Sequence, residues 1–362
     1  MRFPGFTDEW KKTTLGEITT NFNLRNKEQI DYPMFSVTNN RGFIPQSEQF
    51  EDREMKGEDI KAYKVIHHNE FAYNPARINV GSIAKYNGYE PCMISSLYVC
   101  FKANNEVDED WLMHLLRTPK IQYYYQLNGE GGVRIYLFYP NFARIRTSIP
   151  SIEEQKKIAK ILSIIDERIA TQNKIINNLQ SLIKGLRERF FKGRYPSYIL
   201  LGEIAQLYQP KTIATSELEE TGYLVYGANG VIGHYHSYNH VNPQICITCR
   251  GNTCGQVTLT VPYSWITGNA MVVNIDTNKD IDQSYLFHFL SSYNFNSIIS
   301  GSGQPQIVRS PLAKIHVPDM EINEQRKISR VLDSVISKID SEQNMLRLFQ
   351  LQKNYLVNLM FI

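Results

Sequence analysis

The stretch Pro150-Ser151-Ile152-Glu153-Glu154-Gln155-Lys156-Lys157-Ile158 has a counterpart, Glu324-Gln325-Arg326-Lys327-Ile328, 170 residues further along the chain. Other short segments recur in the same order. Leu15-Gly16-Glu17-Ile18 returns as Leu201-Gly202-Glu203-Ile204. Trp111-Leu112-Met113-His114-Leu115-Leu116 returns as Tyr285-Leu286-Phe287-His288-Phe289-Leu290, and Ala143-Arg144-Ile145 as Ala313-Lys314-Ile315. Order is kept while the spacing drifts, the mark of a duplication whose loops have diverged. A period this long is not that of a solenoid, whose repeats run to roughly 20–50 residues. It describes two copies of a domain, each followed by a helix.

Both helices are legible as apolar stripes. In the first, Ile158, Ile161, Leu162, Ile165, Ile169, Ile176, Leu179, Ile183, Leu186 and Phe190 follow three-and-four spacing. The second carries Ile328, Val331, Leu332, Val335, Ile339, Leu346, Phe349, Leu356 and Met360. Ser151 with Glu154 forms a capping box, whereas the second copy has Glu321 at the cap position. Gly193 stands where a C-terminal glycine would stop the first helix. Each stripe runs for about 40 residues, roughly 60 Å of helix. Stripes matched in length and register predict a coiled-coil-like pair, with packing of each helix on its neighbouring domain as the alternative. The boundaries read as a first globular domain over 1–150, a helix over 151–194, a second domain over 195–318 and a second helix over 319–362.

The globular copies differ from the helices in texture. Runs such as Ile94–Phe101 and Ala270–Ile275 read as strands, and each copy has one amphipathic helix, near 108–118 and 282–292. Between them lie turn-rich stretches: Thr38–Gly42, Gly129–Gly132, Gly227–Gly230 and Gly301–Pro305. That combination predicts a mixed α/β globule with polar loops.

Composition bounds the function. At 362 residues, 42% hydrophobic and 21% charged, the chain is an ordinary globular protein of two to three domains. A formal net charge of +3 permits nucleic-acid binding without announcing it. The opening residues carry no signal-like apolar run, and no segment approaches the roughly 18 apolar residues of a membrane span. The expected setting is therefore reducing and cytoplasmic, without a membrane partner.

Enzymatic signatures are missing. The chain has no Gly-Lys pair, hence no P-loop, and no G-x-G-x-x-G after a strand. Asn74-Pro75-Ala76-Arg77 lacks the second proline and the aromatic of an amino-methyltransferase loop. Asp31 with Glu54-Met55-Lys56 is the nearest approach to a nuclease cluster, and its spacing is loose. Cys246-x-x-Cys249 with Cys254, near His234, His236 and His240, lacks the second close pair of a structural zinc site. Alternation around Cys246 favours buried thiols, so no metal is expected. His114 and His288 fall inside apolar helical stripes and are expected in helix packing. The basic run Lys184, Arg187, Arg189, Lys192, Arg194 suits either a solvated helix end or phosphate contact.

A duplicated α/β domain with a long helix after each copy resembles the specificity subunits of type I restriction–modification systems. The opening Arg2–Trp10 leading into Leu15–Ile18 is similar to that family's start. So are Phe71–Ser82, Gly301-Ser302-Gly303-Gln304-Pro305-Gln306-Ile307, and the proline followed by Glu-Gln and a basic, apolar helix at Pro150–Ile158 and Pro318–Ile328. The first copy departs from this pattern with Gly129-Glu130-Gly131-Gly132-Val133-Arg134 in place of Gly-x-Gly-Gln-Pro.

The resemblance implies an α+β architecture. Two target recognition domains are separated by two long antiparallel helices in a pseudo-twofold repeat. It implies a non-catalytic, sequence-specific subunit that reads a bipartite double-stranded DNA target. Modification subunits, two by the count of similar helix ends, would bring S-adenosylmethionine and methylate adenine. Motor-nuclease restriction subunits would bring ATP and Mg²⁺; the chain itself would hold no cofactor. Ile158, Ile161, Leu162, Ile165, Ile328, Val331, Leu332 and Val335 would pack the helices or dock these partners. Base edges are read by Arg, Asn, Gln and hydroxyl side chains. The polar loops supply Asn39, Asn40, Arg41, Arg77 and Asn79 in the first copy, and Asn229, Arg250, Asn252, Gln256, Gln304 and Arg309 in the second. Turn or capping roles are the plain alternative for each. Competing readings are a scaffold without sequence readout and a self-contained methyltransferase or nuclease. With the helices as a ruler, removing four residues from about 175–185 would narrow the unread gap by one or two base pairs.

Overall fold

The computed structural model describes residues 3, 5–49, 60–131, 135–228, 230–301 and 303–361. By contact, the chain divides into one unit of Met1–Thr171 with Leu346–Ile362 and a second of Gln172–Met345. The division runs through both long helices, Ile152–Phe191 and Ile322–Met360. Among the described residues no helix is long and apolar enough to cross a membrane.

Each unit contains the same sheet. In the first, four antiparallel strands lie in the order Thr19–Phe22, Val99–Ala103, Phe71–Tyr73, Ile83–Lys85. In the second, the order is Gln206–Tyr208, Ala270–Asn274, Ile245–Thr248, Val257–Leu259. A two-stranded ribbon closes the base of each: Lys11–Thr14 with Arg146–Ile149, and Tyr198–Leu200 with His316–Pro318. The mixed helix-and-sheet duplication expected from the sequence is therefore what the chain folds into.

The recurring segments are recurring contacts. The amide of Leu15 donates to Ile145 O at 2.9 Å, and the amide of Leu201 donates to Ile315 O at 2.9 Å. A Cβ on Gly16 or Gly202 would come within 2.8 Å of the Ala143 or Ala313 Cβ. The Leu-Gly-Glu-Ile and Ala-Arg/Lys-Ile motifs are thus two sides of one close packing, which only glycine permits. Leu15 and Leu201 are wholly buried at its centre.

The Glu-Gln motif clamps the helix of each globular copy. The Gln155 Oε1 accepts from the Asp108 amide at 2.8 Å, and its Nε2 donates to Glu106 O and Pro150 O. Gln325 repeats the set on the Asp282 amide, Asp280 O and Met320 O. Asp108 and Asp282 in turn cap the helices Glu109–Leu116 and Gln283–Ser292 by accepting from the Trp111 and Tyr285 amides. Gln325→Ala removes the side chain that bonds the Asp282 amide and the Asp280 and Met320 carbonyls. It is expected to destabilise the second unit by about 2–4 kcal/mol. Denaturant unfolding of the full chain measures this, and an unchanged midpoint would remove the clamp from the account.

The long helices both pair and lie on their domains. In the first unit Asp166 bonds Lys353 at 2.5 Å while Arg168 lies over the Phe349 ring, so the two segments run antiparallel. Leu356, Val357, Met360 and Phe361 join the core around Ile158 and Leu162. In the second unit Ile183 and Phe191 share a core with Leu332 and Ile339, and the Gln172 amide bonds the Glu342 carboxylate. Ile165 is buried; Ile161, Ile328 and Val335 are half-buried. Val331, by contrast, is 45% exposed and lies outside the packed stripe.

Candidate nucleic-acid interface

Three loops meet at one end of each sheet. In the first unit they are the turn Asn39-Asn40-Arg41 of the hairpin Phe35–Thr38/Gly42–Pro45, the turn over 74–82 between two sheet strands, and a closed loop whose ends bridge at Glu130 and Tyr136. Ser82 Oγ donates to Val37 O at 2.8 Å, tying the first to the second. The Leu137 amide donates to Pro75 O at 3.0 Å, tying the third. Gly81, at φ +95°, passes Asn39 so closely that a Cβ would lie 3.3 Å from its carbonyl oxygen. Left-handed backbone and close approach both require glycine there.

The second unit rebuilds this arrangement. Its hairpin is Tyr223–Gly227/Gly230–Tyr235, its second turn spans 249–256, and its third loop bridges at Ser300 and Gln306. The Thr248 and Thr253 hydroxyls both donate to Ala228 O. The Ile307 amide donates to Cys249 O at 3.0 Å, the counterpart of Leu137 on Pro75, and the Gly251 amide donates to Pro305 O. The third loops have equal length between their bridges, so by sequence count Arg134 occupies the position of Gln304. The departure in the first copy is a change of residues within a kept loop. Arg134 itself lies outside the described residues, as do Asn229 and Glu54-Met55-Lys56.

Most of the candidates gather here. Asn39, Asn40, Arg41, Arg77, Arg250, Asn252, Gln256 and Gln304 are all exposed on these loops, and Asn79 is half-buried. Arg41 is engaged by Glu48 at 2.6 Å. Both partners are exposed, so this pair is weak and a phosphate can compete for the guanidinium. Arg309 is placed differently, at the start of the short helix Arg309–Ala313, where it lines a cleft with Leu200, Glu203 and Lys314.

The remaining polar clusters are structural. Burial pushes the Cys246 thiol up to about 12 and raises Cys249, so both stay protonated. Cys249 Sγ donates to Asn269 O at 3.1 Å. His240 bonds Tyr208 and Asn239, and His236 bonds Glu219. Among the described residues no three His, Cys, Asp or Glu side chains converge on a metal position. His288 is wholly buried, with Nε2 2.9 Å from Asp333 and Nδ1 accepting from Arg187 at 3.0–3.2 Å. That geometry makes it a neutral imidazole with its proton on Nε2, and burial lowers its pKa accordingly. His114 is pushed down to about 4, also by burial. Arg187, one of the basic run, is thereby committed to His288 and not to phosphate, and Lys192 pairs with Glu188. Lys184, Arg189 and Arg194 are exposed.

The family described as "Type I restriction modification DNA specificity domain" matches residues 7–181 and again 198–347. The putative type I restriction enzyme MjaX specificity subunit of Methanocaldococcus jannaschii is 22% identical over 411 residues, covering 98% of this chain and 96% of that protein. The EcoprrI specificity subunit of Escherichia coli is 28% identical over 138 residues, 37% of this chain and 34% of that one. The fold is similar to a crystal structure of the type I restriction–modification S subunit from M. genitalium. The TM-score is 0.71 at 17% identity, covering 98% of this chain and 96% of that one.

Proposed function

The chain belongs to the type I restriction modification DNA specificity family, and from that premise we propose that each copy reads one half of a split DNA target with its three convergent loops. The chain is the sequence-specificity component of its system and not the catalytic one; such subunits work in complexes with DNA and with other subunits. One observation carries the finer reading. The same three loops converge at the same end of equivalent sheets in both copies, and they present Arg, Asn and Gln side chains to solvent. Those are the groups that match base-edge donors and acceptors in the major groove. Two reading sites in one chain call for a bipartite target.

In this proposal the long helices serve two ends. They set the unread gap between half-sites, and they dock the modification subunits. Leu348, Leu351 and Tyr355 form a stripe 53–64% exposed on Ile322–Met360, apolar surface suited to a protein partner. Those partners bring S-adenosylmethionine and methylate adenine, and restriction subunits bring ATP and Mg²⁺.

The test is a methylation map. The chain is expressed with its modification subunit in a methylation-free host, and N6-methyladenine is located at base resolution. A split motif with a constant gap is expected. A soluble complex with an active modification subunit that leaves no motif would overturn sequence readout and leave the scaffold reading.

A further inference from the structure

A cation stands three residues past the second strand of each copy. Arg25 follows Thr19–Phe22 and Lys211 follows Gln206–Tyr208. They are 186 positions apart, the offset that relates Leu15 to Leu201. In both sheets this strand runs toward the end from which the loops rise. Phe22 pairs with Cys100, which pairs with Ala72, just before the turn over 74–82. Tyr208 pairs with Val272, which pairs with Cys246, just before the turn over 249–256.

Local contacts hold both cations at that rim. In the second copy Gln209 Nε2 donates to Cys249 Sγ at 2.8 Å and to Gly268 O at 3.0 Å, at the root of the reading loop. Pro210 and Thr212, on either side of Lys211, close on Gly268, where a Cβ would lie 2.6 Å from Thr212 Oγ1. In the first copy the main chain of Arg25 pairs with that of Lys64 in an antiparallel β-bridge, and the Lys64 ammonium donates to Tyr98 O at 2.5 Å. The Tyr98 hydroxyl in turn accepts from the Val37 amide, beside the Asn39–Arg41 turn.

Both side chains are exposed, and neither has a carboxylate partner among the described residues. Burial lowers the Lys64 pKa, and the Arg25 guanidinium lowers it further. Neighbouring cations repel each other, and a phosphate bound beside them relieves that repulsion.

We propose that Arg25 and Lys211 are equivalent phosphodiester contacts, one per copy, that fix each domain's register on the duplex without choosing bases. The inference rests on the reading function proposed above. It adds a sequence-independent contact outside the three loops.

The experiment uses the full chain in complex with its modification subunit. Binding to a duplex carrying the mapped motif and to a scrambled duplex is measured as a function of KCl. Each of Arg25→Ala and Lys211→Ala is expected to reduce the slope of log K against log salt by about 0.9, and the double variant by about 1.8. The ratio of matched to scrambled affinity and the methylated motif stay as in the wild type, and Arg25→Lys and Lys211→Arg keep the full slope. An unchanged slope in the double variant overturns the inference, as does a changed motif, which would make these residues base readers. Loss of the modification subunit at unchanged slope overturns it in favour of a protein contact. A wild-type complex that binds both duplexes equally overturns the reading function itself, a result distinct from all of these.

Discussion

Replacing Asn252 and Gln304 together with alanine is expected to erase readout of one half-site while leaving the other intact. Both side chains are exposed and have no hydrogen-bond partner among the described residues. They belong to two loops that the bond from the Gly251 amide to Pro305 O holds side by side. A good side-chain-to-base pair discriminates by about 1–3 kcal/mol, so losing two removes about 2–6 kcal/mol of preference. The methylation map should then show one or two degenerate positions in one half of the motif, with modification there falling by roughly 30-fold or more. The first half-site and the gap should not change. Thermal stability should also hold, because neither side chain contributes to packing. An unaltered motif would move base readout away from these two loops.

The second large effect concerns the gap. Trimming only the first long helix would break its pairing with the second, because Gln172 meets Glu342 and Asp166 meets Lys353. The informative variant therefore removes Asn173–Ile176 and Ile336–Ile339 together. Each cut takes four residues, about 6 Å of helix. After the cuts Leu179 stands in the place of Ile175 and Glu342 in that of Lys338, and at 3.6 residues per turn each four-residue cut turns the rest of its stripe by about 40°, the same for both helices. At about 3.4 Å per base pair the unread gap should narrow by one or two pairs, with both half-sites unchanged. Retained methylation at an unchanged gap would show that the helices do not measure the distance.

Much of this was open to reading from residues alone. The two stripes follow from local periodicity, which depends only on residues three and four apart. The duplication follows from motif order. The loops likewise announce themselves, since glycine, asparagine and proline limit the backbone wherever they cluster. What the motifs were for was less open. Glu-Gln reads as a helix-start signature, yet Gln155 and Gln325 are the buried clamps of helices that begin at Glu109 and Gln283. Nothing near Gln155 in sequence names Asp108 as its partner. Arg187 looks like one cation among five until the fold sets it against His288. Arg309 belongs by composition with the reading residues, and the fold puts it in a cleft beside Glu203. Arg25 and Lys211 attract no notice as single cations, and a comparison of the two copies by offset would have found them.

By itself, then, the sequence determined the duplicated architecture, the two helices and the readiness of the loops for polar recognition. These are properties of spacing and residue type, which act over a few positions or repeat wholesale. Only the tertiary structure decided which loops form one surface, which polar side chains are consumed in holding it, and how the long helices divide between pairing and packing. Those outcomes depend on hydrogen bonds such as Leu137 to Pro75 and Ile307 to Cys249, between residues about 60 positions apart, where no local pattern can specify the partner.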